Sequence, residues 1–364
     1  MRRNLASKGL ARPFRLVCAV LATACLCLPP LGPGEKAMAA AAPPLVIAHR
    51  GACGSRPEHT LAAYELAIDQ GADFIEPDLV STRDGALIAR HENDIADTTD
   101  VADKFAERKT VKRIDGRAVE GYFTEDFSLA EIKTLRARQR LPFRDHGYDG
   151  LFEIPTFEEI IALARRKGNE LGRVVGLYPE TKHPSYFKAI GLPLEQRLVA
   201  LLRENGYDGP DAPVFIQSFE PGNLRELRRM TRVRLILLYE APDRRPYDLV
   251  LAGDDRTYGD LLTPAALAEV ATFAQGIGPW KGLILPQNPD GTLGPATRLV
   301  ADAHAAGLLV HPYTFRDEPR FLAPQYGGDP IKEYLRFYEL GVDGLFSDFP
   351  ATAVAARAVF LGKP

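Results

Sequence analysis

Residues 49–60 read HRGACGSRPEHT, residues 75–80 read IEPDLV and residues 83–93 read RDGALIARHEN. From His49 to His91, a span of 43 residues, the chain also supplies Arg50 and the acids Glu58, Glu76 and Asp78. FIEPDLV has the length and apolar character of a short buried strand. Side chains two apart on a strand face the same side, so Glu76 and Asp78 aim at one spot. Carboxylates that close raise each other's pKa unless a cation lies between them. Hard ions such as Ca²⁺ and Mg²⁺ prefer carboxylate oxygens. His49 and His91 can take up and release protons near neutral pH. Arg50 carries a planar fork suited to phosphate oxygens. Each residue alone has a bland reading, as a solvated strand-end acid or a structural histidine. Together they are the inventory for a divalent metal, a phosphate and an acid–base pair.

The elements that must position them alternate. Apolar runs at 45–48, 73–79, 174–180, 213–218, 233–238, 282–286, 308–312 and 343–347 read as strands. Helical patterns fall at 60–70, 155–168, 193–205, 221–230, 263–275, 295–306, 330–340 and 351–361. Eight β–α pairs in order predict an α/β protein, a (β/α)8 TIM barrel, with a doubly wound open sheet as the alternative. Barrel chemistry sits at the C-terminal strand ends. His49 and Arg50 end the first strand, and Glu76 and Asp78 lie on the second. Glu180 ends the third, two before Lys182, and Gln217 ends the fourth. Tyr313, Phe315 and Arg316 follow the seventh, and Ser347-Asp348-Phe349 follows the eighth. Pro77 cannot donate to a ladder, which predicts a local irregularity between the two acids. About 90 residues separate the second strand from the third. That is far beyond a normal connection, and predicts a small insertion at about 92–150. Within it LAEIKTLRARQ reads as a helix, led by a capping box of Ser128 and Glu131.

The chain of 364 residues is 46% hydrophobic and 26% charged, an ordinary globular balance. Its N-terminus reads as a secretory signal over 1–39: Arg2, Arg3, Lys8, Arg12 and Arg15 precede LVCAVLATACLCL, and Ala37-Met38-Ala39 fits a cleavage site. That apolar run is short for a bilayer span. The export route, general or twin-arginine, is open. Removal of 1–39 leaves 39 bases against 47 acids, a net charge of −8. This argues against nucleic acid or an anionic membrane as the main partner. Only Cys53 would remain of the four cysteines, so no internal disulfide is expected.

HRGACGSRPEHT and IEPDLVSTRDGALIARHEN, with TTDVADKF, DFSLAEIKTL, LYPETKHP, QSFEP, VHPYTFR and GVDGLFSDFP, resemble the glycerophosphodiester phosphodiesterase family, in particular its periplasmic and secreted members. The resemblance runs from about residue 45 to the C-terminus. It implies a TIM barrel with a cap beside its mouth, and hydrolysis of a glycerophosphodiester to sn-glycerol 3-phosphate and an alcohol. It implies Glu76, Asp78 and Glu180 as ligands of a divalent metal, with Ca²⁺ favoured in a secreted setting and Mg²⁺ the alternative. His49 and His91 would be the acid–base pair, in either order, and Arg50 and Lys182 would hold the phosphate. Gln217, Tyr313 and Phe315 would line the substrate pocket, and a role for Trp280 or Phe346 there is open. One departure stands out: many relatives carry aspartate after the second histidine, where this chain has Glu92. Two other functions compete. A related two-histidine barrel cleaves sphingomyelin or lysophospholipids, but those toxins depend on disulfides. A phosphate-binding protein that has lost activity would be expected to lack one of the histidines.

Overall fold

The structure, a computed structural model, describes residues 42–362. The expected secretory signal at 1–39 lies outside them. Eight parallel strands close into a barrel. They are β1 (Leu45–His49), β2 (Phe74–Glu76 and Asp78–Ser81), β3 (Gly176–Leu177 and Glu180–Thr181), β4 (Phe215–Ser218), β5 (Arg234–Tyr239), β6 (Gly276–Pro279), β7 (Leu309–Val310) and β8 (Gly344–Ser347). β8 pairs with β1, Leu45 opposite Gly344. The β7–β8 seam closes through Asp343 N–H to the Val310 carbonyl and Phe346 N–H to the Pro312 carbonyl, both at 3.0 Å. The helices packed outside are α1 (Leu61–Asp69), α2 (Phe157–Leu171), α3 (Glu195–Glu204), α4 (Pro221–Met230), α5 (Pro264–Val270), α6 (Leu299–Ala305), α7 (Pro330–Glu339) and α8 (Pro350–Phe360). No described helix is long and apolar enough to cross a membrane.

β2 and β3 are each split at a proline, Pro77 and Pro179. Neither can donate a ladder hydrogen bond. Both still accept one: Glu180 N–H bonds the Pro77 carbonyl and Gln217 N–H the Pro179 carbonyl, each at 2.9 Å. The register is therefore preserved through the breaks. His49 pairs with Glu76, Asp78 with Glu180, and Glu180 with Gln217.

Strand alternation divides the core in two. Val46, Ala48, Ile75, Ile216 and Leu237 face the helices. Ile47, Phe74, Tyr178, Phe215, Ile236 and Phe346 fill the barrel interior. Tyr178 stacks on Phe215 with ring centroids 5.0 Å apart, and its hydroxyl meets His311 Nδ1 at 2.8 Å. Burial pushes the His311 pKa down to about 4, so it serves as a neutral partner here.

Three sequence expectations need correction. The sixth strand is not 282–286 but Gly276–Pro279, and Lys281–Leu283 is a single 3-10 turn. The helix before it stops at Val270 rather than 275. Glycines disguise the strand, yet closure demands them: a Cβ at Gly278 would come within 2.5 Å of Leu238. The helix read from LAEIKTLRARQ is one turn, Leu129–Ile132. Its capping box forms, but beyond it the backbone turns to other partners: Ala137 N–H bonds the Phe152 carbonyl and Arg138 N–H the Thr98 carbonyl. The insertion also carries an antiparallel hairpin, Thr110–Ile114 with Arg117–Gly121, turning at Asp115-Gly116 with both φ positive. Positive φ at both central residues is the hairpin turn that matches strand twist.

Phe215 anchors the interior, so Phe215→Ala is expected to cost about 3–5 kcal/mol in chemical unfolding. A loss under about 1 kcal/mol would show that the interior does not depend on this stack.

Candidate active site

At the C-terminal strand ends lies a cavity of about 180 Å³, lined by His49, Arg50, Glu76, Asp78, His91, Glu180, Lys182 and Gln217 among others. Glu76, Asp78 and Glu180 present oxygens within 4.8 Å of one another, and all three are buried. Gln217 Nε2 donates to Glu76 Oε1 at 2.9 Å, and the Arg50 backbone N–H donates to Oε2 at 2.8 Å. His59 Nε2 lies 2.9 Å from Asp78 Oδ2, and its Nδ1 lies 2.8 Å from the Tyr64 hydroxyl. Burial and the neighbouring acids Asp78 and Glu180 push the Glu76 carboxyl well above its usual range. Burial likewise raises Glu180 to about 8, with Lys182 opposing and Asp78 adding to the shift. Asp78 goes the other way: against its burial, Lys182 and His59 hold it ionised. The Gln217 Oε1 atom is buried without a hydrogen-bond partner. Crowded carboxylates and an unpartnered amide oxygen are the donor set of a hard divalent cation, and the residues fit one.

Two histidines flank these acids. His49 Nδ1 lies 2.7 Å from Asp348 Oδ1, which leaves Nε2 on the other side of the ring. Asp348 is held by Arg144 at 2.5 Å and by Arg316 Nε at 2.9 Å. His91 Nδ1 lies 2.8 Å from Glu92 Oε1, so the departure at Glu92 still supplies a carboxylate partner. His91 Nε2 faces Lys182 Nζ at 3.3 Å. Burial, with Arg50 beside both and Lys182 beside His91, lowers His49 to about 4 and His91 to about 3. Both rings are therefore neutral in the structure and ready to accept a proton.

Arg50 sits at φ 58, just after β1, and Gly51 follows at φ 84. The bend is tight, since a Cβ on Gly51 would lie 2.6 Å from the Ala63 backbone. Against the cost of burial, Glu58 and Asp78 hold Arg50 firmly charged. Glu58 contacts Arg50 Nη1 at 3.3 Å and Arg140 Nε at 2.8 Å, so it positions an arginine and lies outside the carboxylate cluster. The Arg50 Nε is buried with no hydrogen-bond partner. Lys182 lies 3.2 Å from Glu180 Oε1, and Glu180 and Asp78 keep it charged despite burial.

Of the expected pocket residues, Gln217 and Tyr313 line the cavity, as does Phe346. The Tyr313 hydroxyl is committed to the Tyr239 carbonyl at 2.9 Å, so it offers the cavity a ring face. Phe315 is not at the cavity. It is fully buried outside the barrel against Tyr334 and Phe337, because its side chain falls on the helix-facing side. Trp280 is half exposed and also stands away from the cavity. Sequence reasoning missed the roles of His59, Asp348, Arg144 and Arg140. His59 and Asp348 stood inside quoted motifs, whereas the two arginines come from the insertion with no pattern to flag them.

A family model described as "Glycerophosphoryl diester phosphodiesterase family" matches residues 49–352. A glycerophosphodiester phosphodiesterase of Arabidopsis thaliana is 42% identical over 323 residues, covering 84% of each chain. One from Haemophilus influenzae is 31% identical, over 85% of this chain and 88% of its own. Among solved structures, a glycerophosphoryl diester phosphodiesterase of Silicibacter pomeroyi shares the fold with a TM-score of 0.61 at 21% identity, over 88% of this chain and 95% of its own. A phosphodiesterase of Oleispira antarctica, solved with the product sn-glycerol-3-phosphate, gives 0.55 at 21% identity, over 86% and 96%.

Stripping with EDTA and restoring Ca²⁺ or Mg²⁺ should raise unfolding free energy by about 2.7 kcal/mol at a hundredfold excess over Kd. Asp78→Asn should remove most of that gain. Glu180 adds a pH signature. Its raised pKa favours the metal-free fold below 4.5, and that stability is lost as pH rises through about 8. The gap in melting temperature between the loaded and stripped protein should therefore widen from pH 5 to 8. A constant gap would remove Glu180 from the cation site.

Proposed function

This chain belongs to the glycerophosphoryl diester phosphodiesterase family, and from that premise we propose that it hydrolyses glycerophosphodiesters to sn-glycerol 3-phosphate and an alcohol, using a divalent cation and a histidine pair. The observation that carries this reading is the pairing of each histidine with its own carboxylate. Asp348 fixes His49 and Glu92 fixes His91 through Nδ1, which reserves both Nε2 atoms for chemistry. One ring, neutral, takes the proton of the attacking hydroxyl at Nε2; the other must first be protonated at Nε2, and gives that proton to the departing alcohol oxygen. The attacking group is water, or the substrate's own glycerol 2-hydroxyl, which would give a cyclic phosphate that water then opens; the residues serve either.

Glu76, Asp78 and Glu180 would hold the cation, with Gln217 adjoining. The cation would supply Lewis-acid polarisation of a phosphate oxygen and offset developing negative charge. Ca²⁺ is the favoured ion and Mg²⁺ the alternative. Arg50, whose Nε makes no hydrogen bond and lies 3.5 Å from Asp78 Oδ2, would give that donor to a phosphate oxygen. Lys182 gives up its contact with the His91 ring to bind another, which frees His91 to act. We read residues 1–39 as an export signal and the mature enzyme as secreted or periplasmic, serving glycerol and phospholipid metabolism.

The test is release of glycerol 3-phosphate from glycerophosphocholine by the chain lacking 1–39. Activity should vanish with EDTA and return with one ion. His49→Ala and His91→Ala should each lower kcat by about 10²–10⁴. A folded, metal-loaded protein that releases nothing from this or other glycerophosphodiesters would sink the proposal.

A further inference from the structure

The carboxylate behind His91 is itself gripped from behind. Glu92 Oε2 lies 2.9 Å from His183 Nε2, and His183 Nδ1 lies 2.6 Å from Asp115 Oδ2. His183 follows β3 by two residues, just past Lys182. Asp115 is at the tip of the insertion's hairpin. Three separate parts of the chain thus meet in one line, from the hairpin tip to the histidine at the cavity. We propose that Asp115 and His183 are positioning residues for His91, acting through Glu92, so that the insertion completes the acid–base site. This rests on the diesterase reading only for what His91 does, not for how it is held.

Backbone conformation supports a built arrangement. Four non-glycine residues among those described have positive φ: Arg50, His59, Asp115 and His183. The first two lie at the carboxylate cluster and the other two are the outer members of this line. The hairpin turn itself calls for positive φ at Asp115, whereas at His183 the surrounding structure imposes it. The hairpin is also braced. Lys112 ties it to Glu125 at 3.0 Å and Asp126 at 2.7 Å, and Tyr186, three residues after His183, bonds Glu125 at 2.5 Å.

The electrostatics suit the task. Against partial burial, the hydrogen bonds to Asp115 and Glu92 on either side of His183 raise it to about 9, so it is an imidazolium at neutral pH. Its two N–H groups then donate to Asp115 and to Glu92. Glu92 stays ionised 2.8 Å from His91 Nδ1, which favours the tautomer with the proton on Nδ1 and leaves Nε2 to face Lys182. The imidazolium offsets part of the Glu92 charge, which tempers how strongly Glu92 draws a proton onto His91. The other charges facing His91 are Arg50, Lys182, Asp78 and Glu58, and Arg140 lines the adjoining space. Near His183 the remaining charged groups are Lys182 before it in the chain and Glu220, bonded to Ser185. None of these replaces the bond to Glu92.

The experiment compares the full mature, metal-loaded protein with Asp115→Asn, His183→Asn and their double mutant. Readouts are glycerophosphocholine turnover against pH and the ¹⁵N shifts of the histidine rings. Each single variant should lower kcat by about ten- to a hundredfold with little change in KM. The double mutant should be no worse than His183→Asn alone. His183→Asn removes a positive charge behind Glu92, so the limb of the pH profile that reports His91 should move up by about half a unit. His183→Gln, whose amide can still reach Glu92, should recover part of kcat. In the spectra, His91 should carry its proton on Nδ1 and His183 should be doubly protonated at pH 7, with both signatures disturbed by Asp115→Asn. The proposal is overturned if kcat stays within twofold of the parent, or if the ring signals of His91 do not respond in a protein that melts normally. The ring signals decide it even if the parent fails to cleave the diester, an outcome that would sink the substrate reading alone.

Discussion

Three carboxylates forced together in a buried cavity set the terms for everything around them. Glu76, Asp78 and Glu180 are brought there by backbone register, since Asp78 pairs directly with Glu180 and His49 with Glu76. Repulsion and burial raise Glu76 and Glu180, and the protein answers with fixed donors. The Arg50 N–H and Gln217 amide face Glu76, His59 faces Asp78, and Lys182 faces Glu180. Each acid is thereby oriented from one side, and its remaining lone pairs are left toward its neighbours. An orientation shell of this kind is what a cation site requires before the ion arrives.

Rigidity at this point is obtained with residues that weaken ordinary strands. Pro77 and Pro179 interrupt β2 and β3 at the cavity, yet their carbonyls carry the ladder across. Arg50 and His59 are held at positive φ, and the first of these aims a backbone N–H at Glu76. The barrel interior below is tightly filled by Tyr178, Phe215, Phe74 and Phe346, which gives the strained loops a firm base.

How legible this was in sequence follows from the range of the interactions. Alternation of apolar runs and helical patterns gave the barrel, because each β–α pair is a local signal. It failed at β6, where Gly276 and Gly278 are required by closure and erase the propensity signature. The carboxylate set and both histidines were readable because they sit at strand ends inside long motifs. Phe315 was placed wrongly because a strand position does not reveal which face a side chain takes when the strand is only Leu309–Val310 and the chain beyond it is irregular. The pairings of Asp348 and Arg144 were out of reach for another reason. Their partners lie 299 and 204 residues away, His49 and Asp348 respectively, and no local pattern encodes such a pairing.

The charge balance of the site explains why two cations and three acids belong together. With all three carboxylates ionised, Arg50 and Lys182 leave one negative charge uncompensated. A divalent cation would turn that deficit into a single positive charge, and a phosphodiester monoanion would cancel it. The histidines stay outside this account because each has its own acid, and those acids have their own cations: Arg144 and Arg316 behind Asp348, His183 behind Glu92. The two sets still meet, since Lys182 touches His91 Nε2 at 3.3 Å and Arg50 lies beside both rings. A proton gained by His91 would therefore be felt at Lys182, and through it at Glu180.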